Sequence, residues 1–237
     1  MSAKKFFGSG LPGVDLSELT GKLIVIEGAD GSGRSTQISI LHDWLEKAGY
    51  ATTMEVGLKR SELIGKDLDE VKKGNSVSLS TLSLFYATDF ADQLENKIIP
   101  SLRAGFVVLA DRYIFTLMAR AIVRGAGPDW IRGIYGMAIE PDLVFYLKTS
   151  PEVLAERTFQ KSGALDYWES GMDILPSQDV YSSFVRYQKI IQKTLLDLGK
   201  TYNFTVINGN LPPLSVAREI QAKLEKALAP ARVDTHS

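Results

Sequence analysis

The stretch Leu23-Ile24-Val25-Ile26-Glu27-Gly28-Ala29-Asp30-Gly31-Ser32-Gly33-Arg34-Ser35-Thr36 decides how the rest of the chain is read. Its first four residues form a short apolar run rich in β-branched side chains, as in a strand buried on both faces of a parallel sheet. Gly28 ends the run. The spacing Gly28, four residues, Gly33, Arg34, Ser35 matches the P-loop pattern at every defined position but one, where the pattern has lysine and this chain has Arg34. Glycines at these places let backbone N–H groups turn inward around a phosphate, and the helix that follows directs its positive end at the same anion. Phosphate contacts are therefore expected along Gly28, Ala29, Asp30, Gly31, Ser32, Gly33, Arg34, Ser35 and Thr36, with Ser35 a ligand for Mg²⁺. Arg34 keeps the charge of the lysine but presents a broader planar fork. The alternative is a plain Gly-rich turn. The strand before the loop and the amphipathic pattern after it favour the phosphate site.

Length and composition narrow the rest. At 237 residues the chain has room for one large α/β domain, and no Pro/Gly/Ser-rich linker divides it. A net charge of −1 argues against a protein held to nucleic acid by bulk electrostatics, so an anionic ligand has to be gripped by local clusters. Cysteine is absent, which removes disulfides and thiolate metal sites and is compatible with a reducing compartment. With only His42 and His236, a histidine-rich metal site is excluded as well. No apolar run approaches a membrane span and no signal-peptide core is visible at the N-terminus, so a cytoplasmic location is expected.

Along the chain, residues 1–20 read as an N-terminal extension, 21–229 as the P-loop domain and 230–237 as a tail. Ile38, Leu41, Trp44 and Leu45 recur at helical spacing after the loop, and Ala51 to Val56 predicts a second strand. A helix is expected from Ser61 to Lys73, ending at Gly74-Asn75. Another is expected from Ser80 to Ile99, closed by Pro100. Phe106 to Ala110 is a further buried strand that delivers Asp111 at its carboxyl end, where a P-loop fold places an acid that organises Mg²⁺. Helices follow from Ile114 to about Arg124 and from Gly125-Ala126-Gly127-Pro128 onward to Ile139. Then come a strand at Leu143 to Leu147 and a helix opened by Pro151. The polar segment from about 160 to 171, with glycines at either side, suggests a lid. A long helix from about Ser177 to Leu198, a strand at Phe204 to Ile207 and a helix from Leu214 to Leu228 complete the pattern. Strands alternating with helices predict a three-layer α/β/α P-loop NTPase fold with a mostly parallel five-stranded sheet, the ligand lying at the strand carboxyl ends.

Taken together, residues Glu27 to Gln37, Asp111-Arg112-Tyr113 and Pro141-Asp142-Leu143 resemble, in order and separation, the thymidylate kinase family of nucleoside monophosphate kinases. The resemblance runs from about Lys22 to the last helix. It implies transfer of the ATP γ-phosphate to a nucleoside monophosphate such as dTMP, with Mg²⁺, by a protein that commonly forms homodimers; from the charge and the lack of a long apolar run, no nucleic-acid or membrane partner is expected. It implies that Asp30 meets a sugar hydroxyl of the acceptor and that Arg112 holds the acceptor phosphate, with Asp111 beside the metal. Arg157, in the Glu156-Arg157 pair before the lid, would lie near the donor nucleotide or its transferring phosphate. Arg34, Arg112 and Arg157 are thus the expected catalytic cations, Ser35 and Asp111 the metal ligands, and Asp30, Glu55, Phe85, Phe90 and Arg112 the acceptor site.

Departures from the family pattern cluster at the acceptor. The family's Thr-Arg-Glu-Pro-Gly is Thr53-Met54-Glu55-Val56-Gly57, its base-reading Asp-Arg is Asp89-Phe90, and its Ala-Tyr-Gln is Ala119-Arg120-Ala121. In the lid, Leu-Asp-Arg-Ile-Glu becomes Leu165-Asp166-Tyr167-Trp168-Glu169. Tyr86, Phe90 and Trp168 are candidates to stack on a base, with ordinary packing as the alternative. These losses, with the missing lysine, motivate a second reading, in which the chain binds nucleotides with little turnover as a regulatory or partner subunit.

Overall fold

Leu23, Ile24, Val25 and Ile26 are all fully buried, and the burial shows no alternation because helices cover both faces of their strand. The computed structural model describes residues 3–64, 68, 70, 77–175 and 177–228. In chain order its elements are β1 (Lys22–Gly28), α1 (Arg34–Lys47), β2 (Thr52–Gly57), α2 (Leu79–Gln93), α3 (Ile99–Arg103), β3 (Val107–Asp111), α4 (Ile114–Val123) and α5 (Pro128–Ile134). After them come β4 (Leu143–Lys148), α6 (Pro151–Ser162), α7 (Val180–Thr201), β5 (Thr205–Asn208) and α8 (Pro213–Leu228). The strands form one parallel sheet in the order β2-β3-β1-β4-β5.

Successive residues of β1 feed different cores. Ile24 and Ile26 pack with Ile38, Leu41 and Leu45 of α1 and Val216, Ile220 and Leu224 of α8. Leu23 and Val25 face the other way, into a larger cluster that holds Phe90, Leu117, Tyr187 and Leu195. This period-2 division is the physical basis of the three layers. Because β1 lies between β3 and β4, with chain connections leaving to opposite sides, a crevice opens at the carboxyl ends of the central strands. The register sets Ile26 beside Asp111, which puts the P-loop and the strand-end acid in that crevice.

Two helix boundaries differ from expectation. Pro100 does not close a helix. After Gln93 the chain makes a π turn over Leu94–Ile98 and continues as α3, with Pro100 in the first turn, where a missing N–H leaves no bond unmade. The helix stops at Arg103, and Gly105 follows with φ 81°. The helix expected to reach Ile139 ends at Ile134. A 3₁₀ turn then covers Tyr135–Met137, and Ile139 forms an isolated antiparallel bridge with Phe6. Most of the helix expected from Ser61 to Lys73, and the tail from 230, lie outside the described residues.

That bridge shows what the N-terminal segment does. Phe7 N–H donates to the Ala138 carbonyl (2.9 Å), and Glu140 N–H donates to the Lys5 carbonyl (2.8 Å). The Phe7 ring stands edge-on to Phe115 and Tyr202, at 5.9 and 5.2 Å. Asp142 pairs with both Lys4 and Lys22 and accepts from Leu23 N–H. The extension is therefore pinned along the segment leading into β4 by apolar packing, backbone bonds and an ion pair.

Candidate active site

The loop between β1 and α1 owes its shape to Gly33, whose φ of 94° at the helix N-cap strains any residue with a Cβ. No side chain caps α1, so its first N–H groups stay available to an anion. Ser35 and Thr36 are exposed in the first turn, and Ser32 Oγ is buried without a partner. A cavity of about 560 Å³ opens over residues 30–37 and is bounded further by Arg157, Lys161 and Gly209. Its size suits a nucleotide. Arg157 reaches it from α6, donating to the Gly209 carbonyl (3.1 Å) and more weakly to that of Gly31 (3.4 Å).

Arg34 does not extend from the loop as a free cation. Its guanidinium is turned inward, with Nε donating to Asp111 Oδ1 (2.7 Å). One Nη donates to the carbonyls of Gly28 (2.7 Å) and Ala29, and the other lies 3.4 Å from Asp30 Oδ1. The residue is buried and ties the loop to the end of β3. Burial opposes ionisation of Asp111, but the charge and hydrogen bond of Arg34, then Arg112 and Arg60, hold its carboxyl below the usual range. Ser35 Oγ donates to Asp111 Oδ2 (3.2 Å). Two oxygen donors so placed fit Mg²⁺, which takes few protein ligands and keeps several waters. Among the described residues no cluster of three or more acidic or histidine side chains offers a closed cage.

Asp30 gathers three arginines. Arg112 donates to its Oδ1 at 2.7 Å, and Arg120 lies 3.7 Å from its Oδ2. Burial works against the charge of Asp30, yet Arg112, Arg120 and Arg34 outweigh it and keep the carboxyl ionised well below the ordinary range. Arg112 reaches Asp30 from a left-handed backbone conformation, φ 71°, unusual for a residue with a Cβ. The buried Glu27 holds that turn by accepting from the N–H groups of Tyr113 (2.9 Å) and Thr116 (3.3 Å) and from the Thr116 hydroxyl.

The depressed aspartates set a pH dependence. A carboxyl whose native pKa lies below its unfolded value of 3.8 stabilises fully above that value and loses its contribution as pH falls through the native pKa. The stability difference between the wild type and Asp30→Asn in urea unfolding is therefore expected to stay constant from about pH 7 to about pH 4 and to narrow below it. A difference that already shrinks between about pH 7 and about pH 5 would contradict this assignment.

The other acceptor candidates separate. Phe90 is buried edge-on against Tyr113 and Tyr135, at 5.1 and 5.8 Å, and helps line a small recess with Arg112. Phe85 is half-buried against the main core, and Glu55 is exposed where the register of β2 slips between Thr53 and Val56. Glu55 and Phe85 thus have no described contact with Asp30 or Arg112. Two cations escaped the sequence reading. Arg60, just past β2, donates to the Met54 carbonyl (2.6 Å) and lies 4.0 Å from Asp111 Oδ2. Asp89 shapes the loop that carries it by accepting from Lys59 and Ser61 N–H, both at 2.9 Å. Arg120 is the one charged residue of the mostly apolar α4, and a cation in such a helix was the signal available.

Within the segment expected to form a lid, α6 continues to Ser162. Gly163 and Gly171 bracket the remaining segment with φ of 71° and 63°. Its second half is seated on the site: Glu169 and Ser170 are buried, and Glu169 pairs with Arg120. Beneath it lies a cavity of about 50 Å³ bounded by Tyr86, Leu117, Arg124, Tyr135 and Trp168 among others.

Comparison with known proteins shows the family to which the chain belongs. The thymidylate kinase family model matches residues 26–220. A probable thymidylate kinase 2 of Saccharolobus solfataricus is 37% identical over 211 residues, covering 89% of this chain and 96% of that protein. A thymidylate kinase of Caldicellulosiruptor saccharolyticus is 35% identical over 187 residues, 74% of this chain and 86% of the relative. These matches favour a phosphotransferase over a binding-only subunit. The chain belongs to the thymidylate kinase family and is a nucleoside monophosphate kinase by descent.

Proposed function

We propose that the protein transfers the γ-phosphate of ATP to dTMP or a closely related nucleoside monophosphate. One observation carries this reading: Ser35 and Asp111 at the phosphate loop adjoin Asp30, Arg112 and Arg120, so donor and acceptor groups share one crevice. The donor triphosphate lies in the cavity over residues 30–37, against the uncapped N-terminus of α1, with Arg157 at its flank. Ser35 and Asp111 would hold Mg²⁺, which would supply charge neutralisation at the transferring phosphate. Arg112 binds the acceptor phosphate, and Asp30 accepts from the acceptor sugar. Phosphoryl transfer needs positioned cations more than covalent chemistry, and the arginines here answer that need. Arg34 acts by holding Asp111 and the loop carbonyls in place, and Arg60 adds positive potential at the end of β2.

The same reading makes the protein a homodimer of the cytoplasm, which size-exclusion chromatography with light scattering checks for the first part. The activity test is an acceptor screen with purified protein, ATP, Mg²⁺ and each nucleoside monophosphate in turn. Turnover of dTMP or a closely related monophosphate, well above that without the protein, is expected. Tight nucleotide binding with no monophosphate turned over would overturn the enzyme reading in favour of a binding subunit.

A further inference from the structure

Arg120 is explained neither by the phosphate loop nor by the strand-end acid. It is the sole charged residue of α4, where apolar side chains face the core, and burying it there is costly unless it is paired. One guanidinium nitrogen meets two carboxylates: Glu169 of the lid segment, in direct hydrogen bond, and Asp30 Oδ2 of the phosphate loop at 3.7 Å. The other Asp30 oxygen is already taken by Arg112. Glu169 is itself fixed, its N–H donating to Asp166 (3.0 Å) and its carbonyl accepting from Gln188 (2.9 Å). One helical turn on, Arg124 grips the same segment, donating to both oxygens of Asp173 (2.7 and 3.1 Å) and lying over the Trp168 ring (5.5 Å). Arg124 joins the segment to Tyr187 of α7 (2.6 Å), whereas Arg120 joins it to the phosphate loop.

We infer that Arg120 is a positioning residue for the acceptor, linking lid residue Glu169 to Asp30 so that Asp30 is oriented for the monophosphate when the lid segment is seated. The inference rests on the proposed phosphotransferase reading and deepens it. The cavity beneath the segment, about 50 Å³, holds only a few waters, so an acceptor enters by lifting the segment and separating Glu169 from Arg120. Reseating restores the link: Arg112 hydrogen-bonds Oδ1 (2.7 Å) and the charge of Arg120, 3.7 Å from Oδ2, favours the same orientation of the Asp30 carboxylate. The donor side, bounded by residues 30–37, Arg157 and Lys161, has no part in this link apart from Asp30.

The test is steady-state kinetics on wild type, Arg120→Met, Glu169→Gln and the double variant, varying the monophosphate and ATP separately, with melting curves on each preparation. Each single variant is expected to raise the KM for the monophosphate about tenfold, the scale of one charge-assisted hydrogen bond, and to leave the KM for ATP within about twofold. Because both act through one link, the double variant is expected to be no worse than the more severe single one. Glu169→Gln preserves volume and shape, so it carries the test where Arg120→Met does not fold. Equal rises in both KM values, effects that multiply in the double variant, or a lower melting temperature with unchanged KM would each overturn the inference. If the wild type turns over dTMP and the variants match it, the inference falls alone. If the wild type phosphorylates no monophosphate, the proposed function falls and this inference with it.

Discussion

Replacing Arg34 with alanine is expected to destabilise the protein by about 3–5 kcal/mol, the range seen when one partner of a buried ion pair is removed. The side chain is only 9% exposed and satisfies two carboxylates and two backbone carbonyls at once. Alanine would leave the Gly28 carbonyl with only the long bond from Arg112 (3.4 Å), the Ala29 carbonyl with only Ser32 N–H, and Asp111 without its nearest cation. Denaturant unfolding measures this directly, and a loss below about 1 kcal/mol would mean that the guanidinium is readily replaced by water. Arg34→Lys separates structure from chemistry. An ammonium is a compact point charge with three donors and cannot span the same four acceptors, so a smaller loss of about 1–2 kcal/mol is expected, with ATP binding and turnover retained. Persisting ATP binding with turnover abolished would show instead that the planar fork is specifically required for transfer.

The second large effect is expected at Arg112. Arg112→Ala should weaken binding of the monophosphate ten- to hundredfold, corresponding to about 1.5–3 kcal/mol for a charge-assisted contact, and change ATP binding far less. Three features support this size. The guanidinium is buried beside Asp30, the backbone is held at a φ of 71°, and Glu27 pins the following turn. A left-handed residue with a Cβ is sparsely populated, and the surrounding bonds over-determine it here, as strained positions in functional sites commonly are. Asp30 keeps Arg120 and Arg34 when Arg112 is lost, so the melting temperature should fall less than for Arg34→Ala. Calorimetry with both nucleotides and a melting curve on one preparation decide the matter. Equal losses for monophosphate and ATP would remove Arg112 from the acceptor site.

What could be read in the chain alone is whatever is written within one or two turns of it. The strands at Leu23, Val107 and Leu143 were legible because a strand covered on both faces is an unbroken apolar run. The phosphate loop was legible because its glycines, its hydroxyl and the helix start lie within a few residues of each other. Pro100 misled for the same reason: its effect depends on whether the preceding turn can rearrange, and a π turn allowed the helix to pass it. Phe90 became a buried neighbour of Tyr113 and Tyr135 because those rings arrive from other elements. The sequence alone determined the fold class, the family and the identity of the phosphate-binding loop. The tertiary structure alone decided that Arg34 turns inward to Asp111, that Arg60 returns a cation to the end of β2, and that Arg120 joins Asp30 to Glu169. Charge can be read from a residue's type, but its direction and partners are set by groups brought together across the sheet, where the pairing that satisfies a buried cation is a property of the fold.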